Sequence, residues 1–172
     1  MLSLRLRGQR ALNERARLVA HDGPWLLFVA DERSLLDGEL AIVRWSQGFG
    51  KPELNRSVIG GPLIVAGTTH ATGLGMHANA YFVLRVARRG RLSGAVGVDT
   101  KGWPTTHLAF SIRTGSGRAL FETGALSRDD AAVRFSVPVD PAEGLALEVV
   151  AACDCFEGAH ADWVDLRLQP GG

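Results

Sequence analysis

Cysteine is scarce in this chain of 172 residues, which contains only two, Cys153 and Cys155. Side chains two positions apart on a strand share a face, but they reach disulfide geometry only with strain. A single Cys-x-Cys without a second pair is also a poor zinc-binding pattern. We therefore expect free thiols, and neither a disulfide framework nor a structural zinc site.

Long hydrophobic runs are also missing. The best apolar stretch, residues 25–30, has the length of a strand and is far too short to cross a membrane. Residues 1–8 are too few and too charged for a signal peptide. The sequence thus predicts no transmembrane segment. It leaves three routes open: a cytoplasmic protein, an export signal outside this chain, or an unorthodox signal.

Neither sign of charge dominates. Lys and Arg number 19, Asp and Glu number 18, and the net charge is +1. A nucleic-acid partner is not predicted, because it would require a basic face. We interpret the arginines between Arg5 and Arg17 as a solvated face of a terminal segment. Hydrophobic residues make up 46% of the chain, enough for the core of one domain.

Catalytic and cofactor motifs do not assemble. Residues 73–78 fit a G-x-G-x-x-A pattern, but a strand-like segment follows where a dinucleotide site needs a helix. Ser116 lies between two glycines in a turn, without the strand–turn–helix setting of a nucleophile. The five histidines are scattered, and Asp162 and Asp165 should point to opposite faces of one strand. We predict no enzymatic activity and no cofactor, although the acidic residues 154–165 are compatible with a structural Ca²⁺.

Alternation of apolar and polar residues dominates the second half of the chain. Such a period of two indicates half-buried antiparallel strands, and glycine- or proline-containing turns separate the runs. The fold class predicted is all-β, a sandwich or barrel. The following residues are predicted to face the core: Phe82, Leu84, Phe110, Val149, Val164, Leu166 and Leu168.

The first 38 residues differ from the rest. Residues 16–20 and 25–30 flank His21-Asp22-Gly23-Pro24, a pattern typical of a β-hairpin. We place a boundary near Gly38, with an extension over residues 1–38 and a main domain over residues 39–172. The extension is too small to hold its own core, so it should dock on the main domain or on a partner.

Trp103 lies in a loop with Gly102 and Pro104, between two predicted strands. The C–H faces of sugars stack on aromatic rings, and a loop tryptophan is a candidate for such a platform. The competing interpretation is a tryptophan that folds back onto the core. Both interpretations stay open at the level of sequence.

Five segments in a fixed order resemble the NPCBM domain, also called carbohydrate-binding module family 51. They correspond to its G-x-P-L-x-I-x-G stretch, its G-L-G-x-H-A-x-S signature, its V-G-V-D motif, its L-x-x-S-G-x-L segment and its closing H-A-D-W-x-D-x-x-L. These segments are residues 55–67, 73–80, 96–99, 121–126 and 160–168. The resemblance covers about residues 40–168. Two departures are Ala80, where the family has serine, and residues 100–104.

The resemblance implies a galactose-binding-like β-sandwich of the jelly-roll type that binds a glycan or glycoprotein without catalysis. It implies galactose-like ligands and an extracellular or periplasmic location. Loops at one end of the sandwich would hold the sugar through His77, Asn79, Asp99, Trp103 and Asp162. His77, Asp162 and Trp163 could equally be scaffold residues that hold these loops.

A second hypothesis uses the same fold differently. The chain would be a structural or assembly subunit, a protein–protein adaptor whose N-terminal extension docks on other subunits. Three features of the sequence favour this hypothesis: no attached catalytic domain, no recognised signal peptide, and the altered loops.

Overall fold

The computed structural model describes residues 16–22, 25–34, 38–152 and 157–171. The two cysteines, the arginines up to Arg15 and the predicted turn residues Gly23 and Pro24 lie outside the described residues. Fourteen strands lie within them: β1 (Ala16–Asp22), β2 (Trp25–Ser34), β3 (Leu40–Gln47), β4 (Glu53–Leu54), β5 (Leu63–Val65), β6 (Thr68–His70), β7 (Gly73–His77), β8 (Ala80–Val86), β9 (Gly90–Val98), β10 (Leu108–Thr114), β11 (Ala119–Glu122), β12 (Val133–Val139), β13 (Leu145–Ala151) and β14 (His160–Pro170).

Two antiparallel sheets face each other. The seven-stranded sheet has the order β1-β2-β3-β8-β13-β10-β11, and the five-stranded sheet has the order β12-β9-β14-β7-β4. A small hairpin, β5-β6, covers part of the outer side of the second sheet. The described residues contain no α-helix, so the all-β prediction is confirmed. No helix long and apolar enough to cross a membrane occurs in the described part of the chain.

The alternation seen in the sequence becomes the inner and outer faces of these sheets. On β12, Phe135, Val137 and Val139 are buried, whereas their neighbours are exposed. Pro138 fits there because β12 is the edge of its sheet and pairs only with β9. All seven residues predicted to face a core are buried. Their buried apolar surface is the main favourable contribution to folding.

The N-terminal segment forms part of the larger sheet. β1 pairs antiparallel with β2, and β2 pairs antiparallel with β3. Phe28 lies opposite Trp45 in this register, so the strand pairing continues from the main domain into the hairpin. β1 is therefore one edge of the seven-stranded sheet.

One predicted face is wrong. The sequence suggested that Val164, Leu166 and Leu168 share a face, opposite Trp163 and Asp165. In the structure Trp163 packs in the main core with Leu166 and Leu168, whereas Val164 belongs to a small second cluster under β5. Asp165 has a φ of 54°, and the register of β14 against β9 shifts between Val164 and residue 167. A bulge at Asp165 thus reverses the alternation midway along β14.

The same bulge changes the position of the two aspartates. Asp162 lies close enough to the Ile64 N–H of β5 for this group to influence its pKa. The Asp165 Oδ2 atom lies 2.8 Å from His70 Nδ1 of β6. Both carboxylates therefore face the β5–β6 hairpin, and the expectation that they point to opposite faces is wrong. Asp165 fastens β6 to β14.

Candidate functional site

One end of the sandwich collects most of the residues that the sequence singled out. β7 and β9 end there, at His77 and Val98, and β8 and β14 begin there, at Ala80 and His160. The loop of residues 99–107 lies at this end, together with the loop that follows β3. We call this region the loop end. It contains two of the large hydrophobic side chains that are exposed in the described residues: Phe49 and Trp103.

The loop that carries Trp103 is fixed by several hydrogen bonds. Asp99 Oδ1 accepts from the Lys101 N–H at 2.8 Å, and the Gly102 N–H donates to the Asp99 carbonyl at 2.7 Å. The Thr106 N–H donates to the Trp103 carbonyl at 3.0 Å, which closes a β-turn with Pro104 at its second position. These bonds are local, and they leave the loop little freedom.

Longer-range contacts hold the same loop against its surroundings. The Thr100 N–H donates to the Ile64 carbonyl at 2.8 Å, which ties the loop to the β5–β6 hairpin. Arg128 Nη1 donates to the Gly102 carbonyl at 3.2 Å from the other side. The Trp103 N–H donates to the Gly158 carbonyl at 3.3 Å. Trp103 is therefore carried by a loop that is held at three points.

The Trp103 side chain lies against Gly158 and is 51% exposed. A Cβ at position 158 would come within 2.4 Å of the ring atom Cδ1, so only glycine leaves room for the ring in this position. Gly158 also has a φ of 69°, which glycine adopts without strain. The ring has one supported side and a substantial solvent-exposed surface, so the core-plug interpretation of Trp103 does not describe this structure.

Asp99 and Asp162 lie beneath this surface, with 0% and 1% of their area exposed. Burial and the nearby Asp99 carboxylate raise the pKa of Asp162 to about 8, against the weaker lowering influence of the Ile64 N–H and Lys101. Neither carboxylate oxygen of Asp162 has a hydrogen bond of ordinary geometry to the described residues. Asp99 thus supports its own loop through the Lys101 N–H, and Asp162 lies buried close to Asp99.

Two histidines form an aromatic row with Phe49. The ring centroids of Phe49 and His77 are 5.8 Å apart, and those of His77 and His160 are 5.7 Å apart, both edge to face. His77 Nδ1 donates to the Ala78 carbonyl at 2.5 Å. Burial lowers the pKa of both histidines, so their neutral forms are favoured. His77 is only 3% exposed, whereas Phe49 above it is 60% exposed.

Asn79 lies in the turn between β7 and β8 and is half-buried. Its Oδ1 atom accepts from the Ala151 N–H at 2.6 Å, which joins this turn to the end of β13. The loop end thus brings together the five residues predicted from sequence. Trp103 is the one that presents a large exposed side chain, and His77, Asp99 and Asp162 lie below the surface.

Sequence reasoning missed three contributors to this end. Phe49 is flanked by Gly48 and Gly50, and a large apolar residue between two glycines is a signal that could have marked an exposed loop. Gly158 and Arg128 support the Trp103 loop through contacts across long sequence separations. No local sequence pattern predicts such contacts between residues that are distant in the chain.

Catalysis or metal binding at this end would require accessible, closely grouped titratable side chains. Among the described residues, no three His, Cys, Asp or Glu side chains are grouped so as to hold a metal ion. Asp99 and Asp162 are too deeply buried to contact a glycosidic bond in a ligand on the surface. Asp99 and Asp162 are buried, whereas Trp103 and Phe49 are exposed to solvent.

Comparison with known proteins decides the family. The model of the NPCBM/NEW2 domain matches residues 34–169, which is most of the chain. The chain belongs to the NPCBM/NEW2 domain family. Members of this family are carbohydrate-binding modules, so the resemblance seen in the sequence is confirmed. The match begins at the end of β2, and β1 lies before it.

One curated relative of this NPCBM/NEW2 domain is alpha-1,3-galactosidase B of Akkermansia muciniphila. The two are 33% identical over 132 residues, which cover 73% of this chain and 16% of the relative. The chain thus spans about a sixth of the length of that enzyme. The similarity concerns a module of the relative.

Solved structures confirm the β-sandwich. CBM51 from Clostridium perfringens GH95, in complex with methyl-galactose, has a TM-score of 0.65 and 21% identity, covering 73% of this chain and 92% of that one. CBM51-2 with the INT domains of Clostridium perfringens ZmpB, in complex with GlcNAc, has a TM-score of 0.70 and 18% identity, covering 91% and 41%. At these identities the likeness shows the fold, and the NPCBM/NEW2 domain described here shares it.

Proposed function

We propose that this NPCBM/NEW2 domain is a non-catalytic module that binds a galactose-like sugar of a glycan or glycoprotein at the loop end. The observation that carries the proposal is the Trp103 ring, which is 51% exposed and lies against Gly158 on a loop held at three points. A rigid aromatic surface binds a sugar face with little loss of conformational entropy.

The remaining predicted residues have different parts in this proposal. Asn79 lies at the same end with its Oδ1 atom already bonded, which leaves its amide nitrogen as a donor for a sugar hydroxyl. His77, Asp99 and Asp162 act from beneath, as positioning residues of the loops. Exposed Phe49 is a second apolar surface at the same end.

The choice of a galactose-like ligand has independent support from two similar proteins. One solved relative of the same fold holds methyl-galactose, and a curated relative is named as an alpha-1,3-galactosidase. Another solved relative holds GlcNAc. We infer that galactose-terminated glycans are the first ligands to test, with GlcNAc-terminated glycans as the comparison. We also propose an extracellular or periplasmic location for the domain, where such glycans would be encountered.

A glycan array with the purified chain tests this proposal. We expect binding to galactose-terminated glycans that is lost in Trp103→Ala and kept in the matched variant Ile59→Ala. Ile59 is also an exposed apolar loop residue, at 50% exposure, so the pair separates a specific platform from general stickiness. Binding that survives in Trp103→Ala, or no binding to any glycan, would contradict the proposal.

The absence of catalysis is part of the same proposal. Its support is the burial of Asp99 and Asp162, the two carboxylates among the predicted site residues. We expect no turnover of aryl glycosides or aryl esters. Turnover that disappears in Asp162→Asn would overturn this part.

A second candidate function is an assembly subunit. One observation favours it: β1 and nearly all of β2 precede the matched family domain, yet they extend its sheet through β2 and β3. The variant Leu18→Pro should disturb the pairing of Leu18 with Phe28 and leave the loop end unchanged. A stable partner that co-purifies with the native chain and is lost in this variant, with glycan binding unaffected, would support the second candidate.

A further inference from the structure

A second surface with the chemistry of a ligand site lies on the outer face of the seven-stranded sheet. Tyr81 of β8 and Glu148 of β13 are direct cross-strand neighbours. Tyr81 is 42% exposed and Val150 is 43% exposed. An open depression of about 340 Å³ lies at this place, lined by Asn79, Ala80, Tyr81, Glu148, Val149 and Val150. We call it the Tyr81 depression.

The carboxylate in this depression is held in place from one side. Ser111 Oγ donates to Glu148 Oε2 at 3.1 Å, and Arg113 Nε lies 3.5 Å from the same oxygen. Within the described residues, Glu148 Oε1 and the Tyr81 hydroxyl make no hydrogen bond. The depression therefore offers one fixed acceptor oxygen and one hydroxyl beside an aromatic ring.

The local charge selects against anions. Arg113 also forms an ion pair with Glu122, so one cation is shared between two carboxylates. The free oxygen of the Glu148 carboxylate calls for hydrogen-bond donors that are not themselves anionic. Hydroxyl groups meet this requirement, and they pair with carboxylates through charge-assisted hydrogen bonds.

The size of the surface favours a small ligand over a protein. Its exposed apolar part consists of Tyr81 and Val150, whereas a stable protein interface needs about 800 Å² from each partner. The volume of the depression lies at the lower end of the roughly 300–1,000 Å³ that is usual for ligand pockets. One pyranose ring, with a C–H face for Tyr81 and adjacent hydroxyls for Glu148, matches both features.

We propose that the Tyr81 depression is a second sugar-binding site, which takes a neutral pyranose with adjacent hydroxyls and acts separately from the Trp103 platform. Tyr81 supplies the stacking surface, and Glu148 accepts from two neighbouring hydroxyls. The depression borders the loop end at Asn79, whereas its stacking and acceptor groups, Tyr81 and Glu148, lie on the outer face of the sheet. The chain can therefore engage two glycan branches at once and gain avidity on a dense glycan surface.

An amide-resolved NMR titration of the full chain with methyl-galactose tests the proposal, followed by a titration with GlcNAc. We expect saturable shifts at the amides of residues 81 and 148–150 in at least one titration. Tyr81→Ala and Glu148→Gln should each weaken the response at these amides at least tenfold. The Trp103 indole signal should stay unchanged in both variants. The matched control is Arg134→Ala, an exposed strand position on the other sheet.

Each outcome separates this site from the loop end. Shifts near Tyr81 that persist in Trp103→Ala support the proposal, even if the loop end itself binds no sugar. Shifts near Tyr81 that vanish in Trp103→Ala would overturn it, because they would report one continuous site. No response near Tyr81 to either sugar would also overturn it, as would self-association of the chain that is lost in Tyr81→Ala without any sugar response.

Discussion

Two tryptophans in this chain have opposite environments. Trp163 lies on β14 with none of its surface exposed, and its ring packs edge to face against Phe110 and Phe135. Trp103 lies in the loop after β9 with half of its surface exposed. The first is surrounded by side chains from both sheets, whereas the second is supported by one glycine and the backbone of its own loop.

The difference shows where stability and binding reside in this fold. Sandwich strands bury side chains between the sheets, so residues there contribute to the free energy of unfolding. The loops are held by hydrogen bonds between backbone groups and a few buried polar side chains, which frees their large side chains to face ligands. A tryptophan therefore stabilises the fold in the core, whereas a tryptophan in the loop is available for ligand recognition.

Trp163→Ala tests the core half of this comparison and should have the largest effect. Removing a fully buried aromatic ring costs about 3–5 kcal/mol of the free energy of unfolding. Urea denaturation followed by circular dichroism measures the loss. The matched variant Trp163→Phe should cost clearly less, because it keeps a ring and removes an indole N–H that has no partner among the described residues. Equal losses for the two variants would argue against the packing account.

The buried Asp162 should make the protein less stable as the pH rises. Its pKa is raised from 3.8 to about 8 in the folded protein, so the folded state retains the proton over a pH range in which the unfolded chain has lost it. The stabilising contribution is complete below pH 4 and is lost as the pH approaches 8. The slope near pH 7 should be at most about 1.4 kcal/mol per pH unit.

Denaturation of Asp162→Asn between pH 7 and pH 9 measures this contribution. His77 and His160 do not interfere in this window, because burial lowers the pKa of each below the ordinary value. The variant should lose the downward slope between pH 7 and pH 8, whereas the exposed-residue control Glu157→Gln should keep it. An unchanged slope in Asp162→Asn would show that another group titrates.

Gly158→Ala should displace the Trp103 ring without touching the core. The added Cβ would come within 2.4 Å of the ring, so we expect sugar affinity to fall at least tenfold, or about 1.4 kcal/mol. Gly117→Ala is the matched control, since Gly117 also has a positive φ but has open space around its Cα. Gly158→Ala should lose more stability than Gly117→Ala, because its Cβ also comes within 2.8 Å of the Trp103 backbone nitrogen, and only Gly158→Ala should lose binding in a glycan titration. Loss of binding in both would indicate a general unfolding effect.

The strands and their core-facing residues could be predicted from the sequence, because they follow from its periodicity. Half-buried strands such as β12 must alternate, so their inner residues can be read directly. The bulge at Asp165 could not be predicted from the alternation, because Asp165 adopts a positive φ although it is not a glycine. Trp163 and Val164 consequently exchange the faces that the alternation assigned to them.

The loop end was predictable in its location and less so in its geometry. Motif order placed Trp103 beside Asp99, but its exposure depends on contacts with Gly158 and Ile64, which are distant in sequence. Tyr81 was read as part of a strand, and its exposure follows from its pairing with Glu148 on the outer face. The exposure of such side chains depends on which strands are neighbours in space. No local pattern in a single sequence encodes that arrangement.

Calorimetric titration of the native chain and Trp103→Ala with methyl-galactose, together with thermal denaturation of both, tests the central claim most directly. A single aromatic platform with two or three hydrogen bonds should give the native chain a dissociation constant on the order of 0.1–1 mM, or about −4 to −5.5 kcal/mol. The account predicts that Trp103→Ala loses this binding while its stability changes by less than about 1 kcal/mol, because an exposed loop residue adds little to the core. Unchanged binding combined with a loss of about 3–5 kcal/mol of stability would contradict it, because Trp103 would then be a core residue rather than the sugar platform.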